Sequence, residues 1–216
     1  MKAAAIVLAM GLIGAGNLYA QDASGREKLD LPKPSLFVMS KSLPAKGTLV
    51  MEVNIGEVRV VRSDEEKTIR LTIDPRAFYD DSTVQSWVRQ FDVAGDRASI
   101  DLKLPKHNNN HSSPSVTVYL PSQTDVKLEL GIGDLTVKGI EGNKELHVGI
   151  GDLTVGVLDG AKYNEILTGT KIGDADDAVS KERSDGFFPK TRHVSSQGIY
   201  KLHATVGIGD VNVVQD

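Results

Sequence analysis

The chain has 216 residues and contains no cysteine. A disulfide framework, a thiolate metal site, a cysteine nucleophile and a lipid anchor on an N-terminal cysteine are therefore excluded. Aromatic residues make up only 5% of the chain, whereas its 21 glycines exceed the average share of about 7%. This balance favours a fold that turns often and fills its interior with aliphatic side chains.

Long apolar runs are missing after the first few residues. Residues 1–20 combine a positive start, an apolar run over residues 3–12 and small residues up to Ala20, which is typical of a secretory signal peptide. No later stretch approaches the roughly 18 consecutive apolar residues of a membrane helix. We expect cleavage after Ala20, a polar linker over residues 21–35 and a single domain over residues 36–216, located in the periplasm or secreted.

An excess of positive charge is also missing. Removing residues 1–20 removes one lysine, so 25 − 1 leaves 24 basic residues against 29 acidic residues, a net charge of −5. Nucleic acid and anionic membrane surfaces attract basic proteins. The charge balance therefore argues against either as the main partner.

Most of the remaining sequence alternates apolar and polar residues with a period of two, which predicts half-buried β-strands. Examples are "TLVMEVNIGEVRVVRS", "KTIRLTID", "RASIDLKLP" and "SVTVYLP". The stretch "DDSTVQSWVRQF" predicts one short helix instead, with Ser82 and Gln85 as a capping box. We expect its Trp87 to cover an open edge of the β-structure. The apolar residues at helical spacing are Val84, Trp87, Val88 and Phe91.

A short phrase of isoleucine, glycine and an acidic residue recurs five times. The glycine anchors are Gly56, Gly133, Gly151, Gly173 and Gly209, and the last four are 18, 22 and 36 residues apart. Isoleucine precedes every anchor: Ile55, Ile132, Ile150, Ile172 and Ile208. An acid follows every anchor: Glu57, Asp134, Asp152, Asp174 and Asp210. Each unit therefore reads as strand, glycine corner, strand.

Such units cannot bury their apolar rows alone and are expected to stack. Eighteen extended residues span roughly 60 Å, a reasonable length for one turn of a β-solenoid. Glycine allows backbone angles that other residues avoid, and the aspartate can hydrogen-bond back to the turn. We predict an all-β fold, a repeat-built β-solenoid or β-helix-like stack with one short inserted helix.

The phrase has two chemical alternatives. A dinucleotide phosphate site is excluded because strand, not helix, follows the glycines. Stacked aspartates could bind calcium, although the double glycine and nine-residue period of calcium-binding β-rolls are missing. We predict a structural corner and no metal or cofactor site.

Candidate catalytic residues do not form a known motif. The five histidines are the first candidates. His107 and His111 lie in a loop rich in asparagine and serine. No nucleophile elbow and no zinc-protease motif accompanies any of the five. The other histidines are His147, His193 and His203. Acids stacked on a β-helix can cleave polysaccharides, so that alternative stays open, but no catalytic residue is predicted.

Residues 175–199 interrupt the recurring phrase with a charged, loop-like insertion that carries Phe187, Phe188 and Pro189. An exposed aromatic pair would mark a contact site, whereas buried rings would only add to the core. The terminal segment "VGIGDVNVVQD" is expected to leave an unpaired strand edge through which copies could associate.

Several segments resemble a known family: "FVMSKSLPAKGTLVMEVNIGEVRVV", "VTVYLPSQTDVKLELGIGDLTVKGIEG", "LHVGIGDLTV" and "YKLHATVGIGDVNV". They are similar to the putative adhesin family of bacterial envelope proteins, a domain of unknown function also called the toast-rack. The resemblance covers roughly residues 36–216. It implies a right-handed β-solenoid-like fold and a non-catalytic role in adhesion or envelope stress signalling, with no site residues to carry over. The expected partner is a protein or glycan of the cell envelope. The alternatives are a polysaccharide-acting enzyme and a calcium-stabilised module.

Overall fold

A computed structural model describes residues 36–76, 79–106 and 113–216. The expected signal peptide, the expected linker, His107 and His111 lie outside the described residues. Strands dominate the described part of the chain, which confirms the all-β class. The strands are β1 (Phe37–Ser42), β2 (Thr48–Ile55), β3 (Glu57–Arg62), β4 (Thr68–Asp74), β5 (Val88–Ala94), β6 (Arg97–Leu102), β7 (Ser115–Leu120), β8 (Asp125–Ile132), β9 (Leu135–Lys138), β10 (Lys144–Ile150), β11 (Leu153–Val157), β12 (Tyr163–Asp177), β13 (Glu182–Phe187), β14 (Lys190–Val194), β15 (Tyr200–Ile208) and β16 (Val211–Gln215).

The strands form one sheet with two arms that meet at the long strand β12. One arm runs β1-β4-β7-β3-β9-β11-β16-β12 and the other runs β12-β15-β10-β8-β2-β6-β5. The period-two pattern decides which side chains point inward, as in β8, where Val126, Leu128 and Leu130 are buried. Aliphatic residues from both arms make one core cluster.

Each glycine phrase contributes one strand to each arm, and these strands pair in parallel. Leu128 of β8 lies opposite Met51 of β2 on one side and opposite Leu146 of β10 on the other. The corner isoleucines are also in register, with Ile132 opposite both Ile55 and Ile150. Like residues therefore occupy like positions in neighbouring units.

The spatial order of the units differs from their order along the chain. Strands β15 and β16, which come last, lie between β10/β11 and β12. The terminal segment therefore pairs on both sides, and the expectation that it leaves an open edge is wrong. Its apolar pattern fits the stack better than an edge because β15 buries Leu202, Ala204 and Val206.

The prediction that residues 175–199 form a loop is also wrong. Strand β12 continues to Asp177, and β13 and β14 return antiparallel along its two halves. The sequence does not predict β13 and β14 well, because these strands lie on the outside of the stack and need no continuous apolar row. They cover the edge that β12 would otherwise leave open.

The predicted helix is present but shorter than its apolar spacing indicates. Helix α1 (Asp81–Ser86) begins after the N-cap Asp80, which accepts a hydrogen bond from the Thr83 amide, so Ser82 is not the cap. The chain then becomes strand, and Val88 and Phe91 belong to β5. Hydrogen bonds from Ser82 and Thr83 lower the pKa of Asp80 to about 2, as expected of an N-cap carboxylate.

Trp87 follows α1 directly and is buried. Its ring packs edge-to-face against the ring of Tyr79, with the two ring centroids 5.1 Å apart. Helix α1 contacts β1 and β5, the two outermost strands of the sheet order. The tryptophan therefore belongs to the part of the core that closes this end of the fold, as the sequence led us to expect.

Candidate binding face along the glycine corners

The glycine corners form one continuous ladder in the order Gly56, Gly133, Gly151, Gly209 and Gly173. The amide of every corner except the last, Gly173, donates to the carbonyl of the next isoleucine, as in Gly133 N to Ile150 O at 2.8 Å and Gly151 N to Ile208 O at 2.9 Å. A Cβ on Gly151 would lie 2.1 Å from Gly133 O, and the glycine has a φ of +130°. The corner therefore requires glycine both for its backbone angle and for the close approach of its neighbour.

The acids after the corners form a second ladder, which we call the aspartate ladder and which consists of Asp134, Asp152, Asp210 and Asp174. Asp134 Oδ1 accepts from the Asp152 amide at 3.2 Å, and Asp152 Oδ1 accepts from the Asp210 amide at 3.0 Å. Asp210 Oδ1 accepts from the Asp174 amide at 2.8 Å. The first three carboxylates of the ladder thus bond the amide of the neighbouring corner and not their own turn.

The aspartate ladder leads to a prediction about stability. Asp152→Ala removes the acceptor of the Asp210 amide and is expected to lower the free energy of unfolding by about 1 kcal/mol. Asp152→Asn keeps an oxygen at the same position and should cost less than half as much. Urea unfolding of the two variants tests this, and equal costs would show that the carboxylate does not support the next corner.

The isoleucines before the corners form the third row, which we call the isoleucine ladder and which consists of Ile132, Ile150, Ile208 and Ile172. Each of these side chains is between 47% and 49% exposed, although the inward-facing Leu130 and Leu135 on either side of Gly133 are buried. Neighbouring strands are about 4.8 Å apart. The ladder is therefore a continuous, half-exposed apolar row across four strands.

The row continues onto β13, where Phe187 lies opposite Ile172. Phe187 is 79% exposed and Phe188 is 68% exposed, which answers the question that the sequence left open about this pair. Phe188 has a φ of +57°. Its amide donates to Lys171 O at 3.0 Å, so the turn at Phe187–Phe188, which we call the phenylalanine turn, is held against β12.

The acids that follow the first and the last corner of the stack are compensated by arginines. Asp174, after Gly173, pairs with Arg183 at 3.0 Å. Glu57, after Gly56 and outside the aspartate ladder, pairs with Arg59 and Arg76, each at 2.5 Å. Partial burial raises the pKa of Glu57, but the hydrogen bonds and charges of Arg76 and Arg59 outweigh it and lower the pKa overall. Asp134, Asp152 and Asp210 lie between these two acids and have no ion-pair partner among the described residues.

A shallow groove of about 380 Å³ lies on the outer face of β2, β6, β8 and β10. It places charges of both signs over a floor that includes Gly131 and Gly149. Aromatic side chains are missing among the described residues that line it, so it has no platform for a sugar ring. Its polar lining is Glu52, Asn54, Arg89, Asp101, Lys103, Glu129 and His147.

The three described histidines do not form a cluster. His147 Nδ1 lies 3.0 Å from Thr205 Oγ1, and His203 Nε2 lies 3.4 Å from Glu165 Oε2. His193 belongs to β14 and not to a loop. Over residues 36–76, 79–106 and 113–216, no group of three or more histidine, aspartate or glutamate side chains is placed to hold a metal ion. The same part of the chain has no helix that is long and apolar enough to cross a membrane.

The recurring phrase contains every glycine, isoleucine and acid of these ladders, but it does not predict that the isoleucines are exposed. The alternation from Leu128 and Leu130 would place Ile132 inside, whereas Ile132 is 47% exposed. The bend at the glycine corner interrupts the alternation, and the pattern alone does not show on which side the corner residue then lies.

These features define an all-β domain with a long apolar face along its corners. Its fold is similar to that of a putative cell adhesion protein from Clostridium sporogenes, with 15% identity, a TM-score of 0.51, and coverage of 84% of this chain and all of that one. The resemblance to the putative adhesin family is thus confirmed at the level of the fold.

Two further solved structures are more distant. A putative adhesin from Bacteroides fragilis has 11% identity and a TM-score of 0.33 over 85% of this chain and 99% of that one. A putative lipid binding protein from Parabacteroides distasonis has 11% identity and a TM-score of 0.26 over 83% of this chain and 96% of that one. No family model and no curated protein matches the sequence.

Proposed function

We propose that this chain is an exported, non-catalytic, adhesin-like binding or scaffolding domain of the bacterial cell envelope. Export follows from the pattern of residues 1–20, with the periplasm or the exterior as the destination. The in-register parallel pairing of the glycine units supports a β-solenoid-like description of the fold. From the resemblance to the putative adhesin family, we also propose a link to envelope stress signalling.

One observation carries the proposal: the isoleucine ladder continues without a break into the phenylalanine turn. Monomeric proteins seldom expose a contiguous apolar patch unless it meets a partner. The backbone beneath this row is held by a hydrogen bond at every corner. A rigid surface loses little conformational entropy on binding, which favours affinity.

The pKa shifts of the carboxylates argue against the polysaccharide-cleaving alternative. A glycosidase needs one carboxylic acid whose pKa is raised so that it can donate a proton. Among the described residues, the carboxylates with a shifted pKa are Glu57, Asp80 and Glu165, and the pKa of each is lowered. At Glu165 the hydrogen bonds from His203 and Arg192 cause the lower pKa.

The proposal is tested by sedimentation of the purified protein with isolated envelope membranes and cell wall. We expect the wild type to co-sediment, and Ile150→Ser combined with Ile208→Ser to weaken retention about tenfold because two apolar side chains leave the contact. The matched control is Ile199→Ser, since Ile199 is 73% exposed and lies away from the ladder. Absence of retention, or equal retention of all three proteins, would contradict the proposal.

A further inference from the structure

We propose that the partner presents a basic amphipathic α-helix, which lies along the isoleucine ladder with its cations over the aspartate ladder. This inference rests on the proposed binding function and names the chemistry of the partner. The two ladders together are called the corner face.

The spacing between neighbouring isoleucines of the isoleucine ladder matches the repeat of an α-helix. Apolar residues on one side of a helix recur once per turn, about every 5.4 Å. The rungs of the isoleucine ladder are about 4.8 Å apart, so the mismatch stays below about 2 Å over the three steps from Ile132 to Ile172. A strand laid along the ladder would present its same-side residues every 6.6 to 7 Å or so. About ten residues of helix therefore cover the whole ladder.

The negative charge of the aspartate ladder favours a partner whose contact surface is positively charged. Each aspartate lies two residues after its isoleucine, at the same corner. Within the described residues, Asp134, Asp152 and Asp210 have no ion-pair partner, whereas Asp174 is paired with Arg183. Three uncompensated carboxylates thus run beside the apolar row. Lysine or arginine on the flank of a docked helix would pair with them and set its orientation.

The same charges disfavour the other occupants of the face. A second copy docked through the isoleucine ladder would bring two aspartate ladders together, and like charges at close range cost binding energy. An anionic lipid surface would meet the same repulsion. A partner with apolar and cationic rows side by side meets neither penalty.

The experiment measures fluorescence anisotropy of labelled synthetic helices titrated with the purified protein. One probe carries leucine at i, i+3, i+4 and i+7 and lysine elsewhere, the second replaces each lysine with glutamate, and the third has the composition of the first in scrambled order. We expect the leucine and lysine helix to bind at least tenfold more tightly than either control probe.

Variants assign the binding to the two ladders. Asp152→Asn with Asp210→Asn keeps the acceptor oxygens and should weaken binding about threefold to tenfold with a smaller salt dependence. Ile150→Ser with Ile208→Ser should weaken it at least tenfold. Asp64→Asn and Ile199→Ser alter exposed residues away from the corner face and should leave binding unchanged.

Equal affinity for the glutamate probe or the scrambled probe would overturn the inference, as would ladder variants that bind like the controls. Size-exclusion chromatography and sedimentation with anionic vesicles complete the test. A dimer, or vesicle binding, that Ile150→Ser with Ile208→Ser abolishes would assign the face to a second copy or to lipid instead. Retention on the envelope without helix binding would reject this inference alone, whereas loss of both would reject the proposed function as well.

Discussion

Gly151→Ala is expected to lower the free energy of unfolding by at least about 4 kcal/mol, an effect that few single substitutions reach. The added Cβ would lie 2.1 Å from Gly133 O and 2.7 Å from Gly133 C. Gly133 cannot move aside easily, because its own amide bonds Ile150 O at 2.8 Å. The φ of +130° adds backbone strain in any residue with a side chain.

A matched control separates the close approach from the backbone angle. Gly95 has a φ of +64°, and a Cβ there would have no neighbour within 4 Å. Gly95→Ala should therefore cost only about 1 kcal/mol, the penalty of a left-handed residue. Urea unfolding of both variants measures the difference. If Gly151→Ala costs no more than Gly95→Ala, the close stacking of the corners is incorrect.

The second large effect concerns a buried pair in the core. Lys144 is 2% exposed, and its Nζ contacts the hydroxyl of the buried Tyr163 and bonds Gly142 O at 3.3 Å. Burial lowers the pKa of Lys144 from 10.5 to about 8, although the charges of Glu141, Asp125 and Asp216 act in the opposite direction. Protonated Lys144 is therefore a destabilising charge at neutral pH.

Stability should consequently rise with pH above 8. Between about pH 8 and pH 10 the unfolded chain still holds the lysine proton while the folded chain has lost it, so folding is favoured progressively more. We expect a gain of about 2 to 3 kcal/mol. Burial raises the pKa of Tyr163 above its usual 10.0, so the unfolded tyrosine ionises first and stability should fall again above pH 10.

Lys144→Met tests the origin of this rise. The variant keeps most of the length of the side chain, removes the titrating group and should abolish the increase between pH 8 and pH 10. Lys201→Met, at an exposed lysine, should retain the wild-type pH profile. Urea unfolding across this pH range measures both, and a rise that persists without Lys144 would assign it to another group.

The sequence by itself determined the all-β class, most of the strands and the corner motif. It could do so because these are local properties. The alternation of apolar and polar residues with a period of two decides which face of a strand is apolar, and the recurring glycine marks where the backbone must bend. The five-fold recurrence of isoleucine, glycine and acid also showed which residues would be equivalent. The corner face consists of such residues, whereas the phenylalanine turn next to it lies outside the recurring phrase.

The tertiary structure alone decided how these pieces are arranged. The insertion of β15 and β16 between β10/β11 and β12 depends on contacts between residues far apart in the chain, and any unit with the same apolar row would fit any place in the stack. The same holds for α1, whose last predicted turn became strand because Val88 and Phe91 pair with β6. The isoleucine ladder is exposed because the chain bends at each glycine corner, so that Leu130 and Leu135 are both buried whereas Ile132 between them is 47% exposed. Only the assembled sheet shows this exposure, which turns a row of residues that alternation would place inside into the surface on which the proposed function depends.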